Sequence, residues 1–93
     1  MTFEVEVNGR VRTVSVEATT VSSGPPRFRV RIDGQPPGAD HGADTDAEGN
    51  GTIDAQKLYQ LVRQSANGTN GKDRLFEIEF LDAGAQAYAF TFG

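Results

Sequence analysis

The chain has 93 residues and a mass of 10.0 kDa, so it can form one small domain, predicted over 1–93, with a single modest core. It contains no cysteine and one histidine, which excludes a disulfide, a thiolate zinc site and dithiol chemistry by the chain itself. We therefore do not expect an enzyme. A net charge of −4 speaks against nucleic-acid binding, which needs clustered Lys and Arg.

Neither a membrane segment nor an export signal is expected. The apolar runs are only a few residues long, which predicts no membrane insertion by this chain. The first residues, MTFE, lack the basic start and the apolar stretch of a signal peptide.

The first twenty residues alternate between apolar and polar side chains around a turn signal. The first strand places Phe3, Val5 and Val7 on one face. Asn8-Gly9 suits a type I′ turn, and residues 10–17 form a second extended run. Residues 1–20 are thus predicted to form an N-terminal β-hairpin.

A third strand is predicted over residues 27–32, after a Ser, Gly and Pro-rich connector. Residues 33–54 then change in composition, with six acids, five glycines and no Lys or Arg. Such a segment is too polar to form a core layer, so we expect a long acidic loop with a functional role.

Three further strands are predicted toward the C-terminus. Residues 57–64 fit either a strand or a helix, and the β neighbours favour a strand. Residues 65–73 contain two Asn-Gly pairs and predict a turn, while residues 74–81 and 86–92 alternate as strands. Of the eight aromatic side chains, all but Tyr59 fall at predicted inward positions.

About six strands without a major helix predict an all-β fold, an antiparallel β-sandwich of jelly-roll type or an open barrel. Arg27, Arg29 and Arg31 form a ladder on one strand face. We favour cross-strand pairing of these cations with Glu4 and Glu6 or with Glu77 and Glu79 over an anion-binding surface. For His41 we favour a hydrogen bond that braces the loop over a role as ligand or proton shuttle.

Several motifs occur in a specific order along residues 25–93. They are DGQPPG at 33–38, the pair His41-Gly42, the acidic glycine-rich loop, LYQLVRQ at 58–64, FEIEFLDAG at 76–84 and AYAFTFG at 87–93. In this order they resemble the C-terminal module of DipZ-like thiol:disulfide interchange (cytochrome c biogenesis) proteins of bacteria. Residues 1–20 depart from that pattern.

The resemblance implies a β-sandwich of the carbohydrate-binding-module type packed beside a thioredoxin-like domain that carries the catalytic cysteines. It implies a noncatalytic accessory module whose partner is the thioredoxin-like domain or its substrate protein. An extracytoplasmic location follows if the parent protein is of this kind. No catalytic residue of the family can be carried over to this chain.

Two alternatives remain open. Residues 46–57 match a calcium loop of the EF-hand type except at its last position, where Lys57 replaces the glutamate. A looser calcium site would use oxygen ligands from Asp44, Asp46, Glu48, Asn50 and Asp54. The chain would then be a small Ca²⁺- or carbohydrate-binding module; otherwise these acids cap their own turn. The second alternative is a structural homo-oligomer formed through open strand edges.

Overall fold

The computed structural model describes residues 2–7, 13–21, 24–64 and 74–93. The seven strands are β1 (Thr2–Val7), β2 (Thr13–Thr20), β3 (Arg27–Ile32), β4 (Asn50–Thr52), β5 (Lys57–Arg63), β6 (Arg74–Phe80) and β7 (Ala85–Phe92). A 3-10 turn covers Gly38–Asp40. No described helix is long and apolar enough to span a membrane.

The strands form two antiparallel sheets. One sheet has four strands in the order β1-β6-β3-β4, and the other has three in the order β5-β2-β7. The prediction of an all-β sandwich is therefore confirmed, and residues 57–64 contain a strand rather than a helix. The additional strand, β4, lies inside the predicted long loop, because residues 50–52 fold back onto β3.

The core lies between the inner faces of the two sheets. Its fully buried members come from both sheets and include Val16, Phe28, Val30, Ile53, Tyr59, Leu61 and Val62. Two aromatic contacts bridge the sheets: the ring centroids of Phe3 and Phe90 are 5.5 Å apart, and those of Phe28 and Tyr59 are 6.4 Å apart. These contacts place β1 opposite β7 and β3 opposite β5.

The predicted N-terminal hairpin is wrong. β1 pairs with β6, whereas β2 pairs with β5 and β7, so the two strands belong to different sheets. In the observed register Phe3 lies opposite Ile78 and Val5 opposite Phe76, which joins apolar side chains on the core-facing side. Burial of this face outweighs a local turn signal. The Asn8-Gly9 turn and the turn at 65–73 lie outside the described residues.

Two β-bulges change which side chains point inward. In β5, Val62 pairs with Val14 and Gln60 with Ser15, so Leu61 is an extra residue, and both Leu61 and Val62 are buried. In β7, Ala89 pairs with Glu17 and Ala87 with Ala18, so Tyr88 is the extra residue. Each bulge shifts the alternation of its strand by one position.

The prediction for the aromatic side chains fails at Tyr59 and Tyr88 because of local strand geometry. Tyr59, predicted to be outside the core, is only 1% exposed and is among the largest fully buried side chains. Tyr88 sits at the β7 bulge and is 53% exposed, whereas Phe92, the last residue of the strand, keeps its predicted core-facing side and is 36% exposed. The alternation of β7 therefore cannot be extrapolated through the bulge.

Candidate functional site

The segment 33–54 folds as an ordered excursion from β3 and back. Ile32 and Gln35 exchange backbone hydrogen bonds of 2.8 and 3.0 Å around Asp33 and Gly34, which both have positive φ. This is the geometry that an Asp-Gly turn supplies readily. The chain then passes through the 3-10 turn, crosses to the other sheet, and returns as β4.

Residues 41–45 of this segment bind the outer edge of β5. The Gly42 N–H donates to the Leu61 carbonyl at 3.0 Å, and the Asp44 N–H donates to the Gln60 carbonyl at 3.1 Å. The buried Thr45 hydroxyl donates to the Leu61 carbonyl at 2.9 Å. A Cβ atom at Gly42 would lie 2.2 Å from the Gln60 oxygen, so this close approach requires glycine. The crossing segment therefore connects the two sheets at this edge.

Asp44 fixes the position of Lys57 at the mouth of the sandwich. Its Oδ1 is 3.0 Å from Lys57 Nζ, and its Oδ2 accepts a 2.8 Å hydrogen bond from the Gln60 N–H. Lys57 Nζ also lies 4.7 Å from the centre of the Tyr59 ring. The hydrogen bond to Asp44 raises the pKa of the Lys57 ammonium. The cation is thus charged, partly exposed and held in one place.

Tyr59 anchors the turn that precedes β5. Its buried hydroxyl accepts hydrogen bonds from the N–H groups of Asp54 and Ala55 at 3.0 and 2.9 Å and donates one to the Ala55 carbonyl at 2.6 Å. Asp54 Oδ1 lies 3.1 Å from the same hydroxyl. Sequence reasoning missed this role, because a short run that fits two alternations does not show which face is buried.

Asp46 organises the turn before β4. Its Oδ1 accepts hydrogen bonds from the N–H groups of Glu48 at 3.0 Å and Asn50 at 2.9 Å. The hydrogen bond from the Asn50 N–H is the main reason that the pKa of the Asp46 carboxyl is lowered, and the hydrogen bond from the Glu48 N–H lowers it further. Asn50 Oδ1 in turn accepts a 3.2 Å hydrogen bond from Arg29 Nε. These contacts hold the returning chain against β3.

The Arg ladder has three different arrangements. Arg31 pairs across the sheet with Glu77 at 3.2 Å and Glu79 at 3.4 Å, as the cross-strand prediction requires. Arg29 bonds Asn50, as described above. Arg27 pairs with Asp82, which follows β6, with Nε 2.8 Å from Oδ2 and Nη2 3.0 Å from Oδ1. The hydrogen bond from the Arg27 side chain is the main reason that the pKa of Asp82 falls to about 2.

These side chains surround an open cleft of about 520 Å³ between β3 and β4 on one sheet and the start of β5 on the other. Its lining includes three cations and three carboxylates: Arg27, Arg29, Lys57, Asp44, Asp46 and Asp54. We call this feature the charged cleft. The Arg27 and Lys57 side chains are 65% and 47% exposed, so their charged groups remain accessible to a partner.

The five predicted calcium ligands lie close together but have other partners. Asp44, Asp46, Asn50 and Asp54 line the charged cleft, whereas Glu48 lines a neighbouring hollow. In the part of the chain that the structure describes, no group of three or more His, Asp or Glu side chains has a geometry that could hold a metal ion. Calcium binding by this loop stays a prediction.

His41 lies on the crossing segment and does not line the charged cleft. Its Nδ1 is 2.9 Å from the Gly42 carbonyl oxygen. This agrees with the predicted role as a brace for the loop.

Comparison with known proteins identifies the family. The family described as "Thioredoxin like C-terminal domain" matches residues 2–93. The chain therefore belongs to the thioredoxin-like C-terminal domain family, whose members are associated with thioredoxin-like proteins. No curated protein and no solved structure matches the chain. The match includes residues 2–20, so the expectation that the N-terminal part stands outside the family pattern is wrong.

Proposed function

We propose that the chain is a noncatalytic accessory module of a thiol:disulfide interchange protein of the DipZ-like kind. The observation that carries the proposal is a family match over residues 2–93 in a chain without cysteine. Exchange of a disulfide needs thiols, so these must come from a thioredoxin-like partner domain. The role left to this chain is to bind that domain or to position its substrate protein, in a bacterial, extracytoplasmic setting.

We assign the contact surface to the charged cleft. Salt bridges and hydrogen bonds fix its side chains before any partner arrives, which lowers the entropic cost of binding. A cleft that carries both cations and carboxylates suits a polar protein surface, because either kind of charged group on the partner can meet an opposite charge. Lys57 is the most useful probe, since it is exposed and its only carboxylate contact among the described residues is with Asp44.

A matched pair of variants tests this assignment. Lys57→Gln removes a cation from the charged cleft, and Arg63→Gln removes one from the far end of the same strand, outside the cleft. Both are measured by calorimetry against the thioredoxin-like domain of a DipZ-type protein that lacks its own C-terminal module. We expect Lys57→Gln to weaken binding about 3- to 10-fold, since a contact at an interface rim is worth about 1 kcal/mol, and Arg63→Gln to leave it unchanged. Equal effects of the two variants would contradict the assignment to the cleft.

A carbohydrate-binding role has less support from the geometry. Stacking on a sugar needs exposed aromatic rings on one face, yet Tyr59 at the charged cleft is 1% exposed. The exposed rings of Tyr88 and Phe92 lie on β7, on alternate sides of the strand. We therefore favour a protein partner.

A further inference from the structure

The outer edge of β7 differs from the other three sheet edges. β4 is only three residues long, β1 carries the exposed Glu4 and Glu6, and the β5 edge is bonded to the crossing segment 41–45. Short strands, charges and covering loops are the usual ways to prevent unwanted pairing of an edge. β7 has eight residues, AQAYAFTF, without charge or proline, and no described strand pairs with its outer side.

The hydrogen-bond pattern shows which backbone groups of β7 face outward. Thr13 of β2 and Gly93 exchange two backbone hydrogen bonds of 3.0 Å. Hydrogen-bonded and non-hydrogen-bonded residue pairs alternate along an antiparallel pair of strands. The N–H and C=O groups of Phe90 and Phe92 therefore point away from β2. Before the bulge, the Val21 N–H bonds the Gly84 carbonyl at 2.7 Å. The same alternation, counted from this bond, points the N–H and C=O groups of Ala85 and Ala87 away from β2.

Because of the bulge at Tyr88, the order of core-facing and outward-facing side chains along β7 is symmetric about the middle of the strand. Ala85, Ala87 and Phe90 pack against the core, and Phe92 follows Phe90 on the same face. The side chains between them point to the opposite face, and Tyr88 and Ala89 do so consecutively. The order of inward and outward residues is therefore the same from either end of β7, about a point between Tyr88 and Ala89.

We propose that β7 pairs antiparallel with β7 of a second copy of this chain, around a two-fold axis between Tyr88 and Ala89. The opposed residues are then Ala85 with Phe92, Gln86 with Thr91, Ala87 with Phe90, and Tyr88 with Ala89. Every aromatic ring faces a small side chain, and opposed residues share a face as the pleat requires. The residues with outward backbone groups face one another, so each such pair exchanges two hydrogen bonds. The two three-stranded sheets become one continuous sheet.

Cysteine cross-linking tests this register directly, because the natural chain has no cysteine. In the double variant Gln86→Cys/Thr91→Cys, each new thiol faces its counterpart across the axis, in a pair without backbone hydrogen bonds and with a Cα separation near 4.5 Å. Within one chain the two positions are about 17 Å apart at about 3.4 Å per residue, so they cannot bridge internally. We expect mild oxidation to give a covalent dimer with two disulfides.

The matched control is Leu58→Cys/Thr91→Cys, which also changes two exposed positions on the outer face of the same sheet. In the proposed register neither new thiol lies beside a thiol of the second copy, so the disulfide-linked dimer should form at least about 10-fold more slowly, by loss of proximity. Equal rates for the two double variants, or no covalent dimer from either, would overturn the register.

Sedimentation of the chain without cysteine measures the association itself. A strand-edge interface is small, so we expect a dimer with a dissociation constant of about 10 µM to 1 mM. Ala89→Lys places two cations beside the axis and should give a monomer, whereas Leu58→Lys on β5 should dimerise as the natural chain does. A monomer at about 1 mM overturns the proposal, and peptide-induced shifts at β7 would then assign this edge to an extended partner segment. The outcome does not depend on a thioredoxin-like partner.

Discussion

The Arg27 guanidinium donates two parallel hydrogen bonds, of 2.8 and 3.0 Å, to the Asp82 carboxylate, and the backbone N–H of Arg27 donates a third at 2.9 Å. These three donors connect the start of β3 to the second residue after β6. The pair also lies beside the charged cleft, so it fixes one wall of the candidate site.

The Arg27–Asp82 pair predicts a pH dependence of stability. The folded pKa of Asp82, about 2, is below its unfolded value, so its contribution is present above about pH 4 and is lost as pH falls toward 2. We expect Asp82→Asn to lower the urea midpoint at pH 7 and to have less effect near pH 2. Glu17→Gln, an exposed change on β2, is the control. The same difference in midpoint at both pH values would contradict this account.

We expect that removal of the Tyr59 hydroxyl lowers the free energy of unfolding. Tyr59→Phe leaves the N–H groups of Asp54 and Ala55 without their acceptor, and each of these partly buried hydrogen bonds contributes about 0.5–1.5 kcal/mol. Tyr88→Phe is the matched control, because its exposed hydroxyl only contacts Gln86, at 3.3 Å. We expect the control to change the free energy of unfolding by less than about 0.5 kcal/mol. Equal losses in urea unfolding would show that Tyr59 is not an anchor.

A Cβ atom does not fit between Gly42 and β5, so we expect the position of the crossing segment 41–45 to depend on glycine at this residue. Gly42→Ala forces the crossing segment away from Gln60 on β5 and should destabilise the fold by about 1–3 kcal/mol. Gly24→Ala is the control, since nothing lies within 4 Å of a Cβ atom there. Thermal unfolding compares the two variants. A neutral Gly42→Ala would mean that the contact with β5 is not tight.

Lys57 provides the test of the calcium hypothesis. If residues 44–54 hold the ion, Lys57→Gln should tighten binding, because it removes the cation that pairs with Asp44. Amide spectra recorded in EDTA and then with added calcium should show saturable shifts confined to this loop. Absence of such shifts in both the natural chain and the variant would remove the hypothesis.

Local pattern predicted much of the strand content. The alternation of Arg27–Ile32 gave the bounds of β3, and the alternation of Phe76, Ile78 and Phe80 gave the inward face of β6. The pairing partners of a strand could not be predicted in this way, since the residues of β1 pair with residues of β6 that lie between 67 (Val7 with Arg74) and 77 (Thr2 with Glu79) positions later. One-residue bulges at Leu61 and Tyr88 leave no local signal, because a bulge is defined by the partner strand.

The candidate site was predictable as a region but not as a set of contacts. The acidic, glycine-rich composition of residues 33–54 singled out the segment that lines much of the charged cleft. The ion pair of Asp44 with Lys57 depends on the crossing to β5, and that of Arg27 with Asp82 spans 55 positions. Both contacts come from tertiary packing, which the order of residues does not reveal.

The proposed function rests on contact between this chain and a thioredoxin-like domain. The most direct test is an amide NMR titration of the labelled chain with the thioredoxin-like domain of a DipZ-type protein freed of its own module, in oxidised and reduced forms. The account predicts saturable shifts for residues that line the charged cleft, with the opposite outer face of the β5-β2-β7 sheet unchanged. No shift of any amide at about 1 mM partner, a level that detects even millimolar affinity, would contradict it.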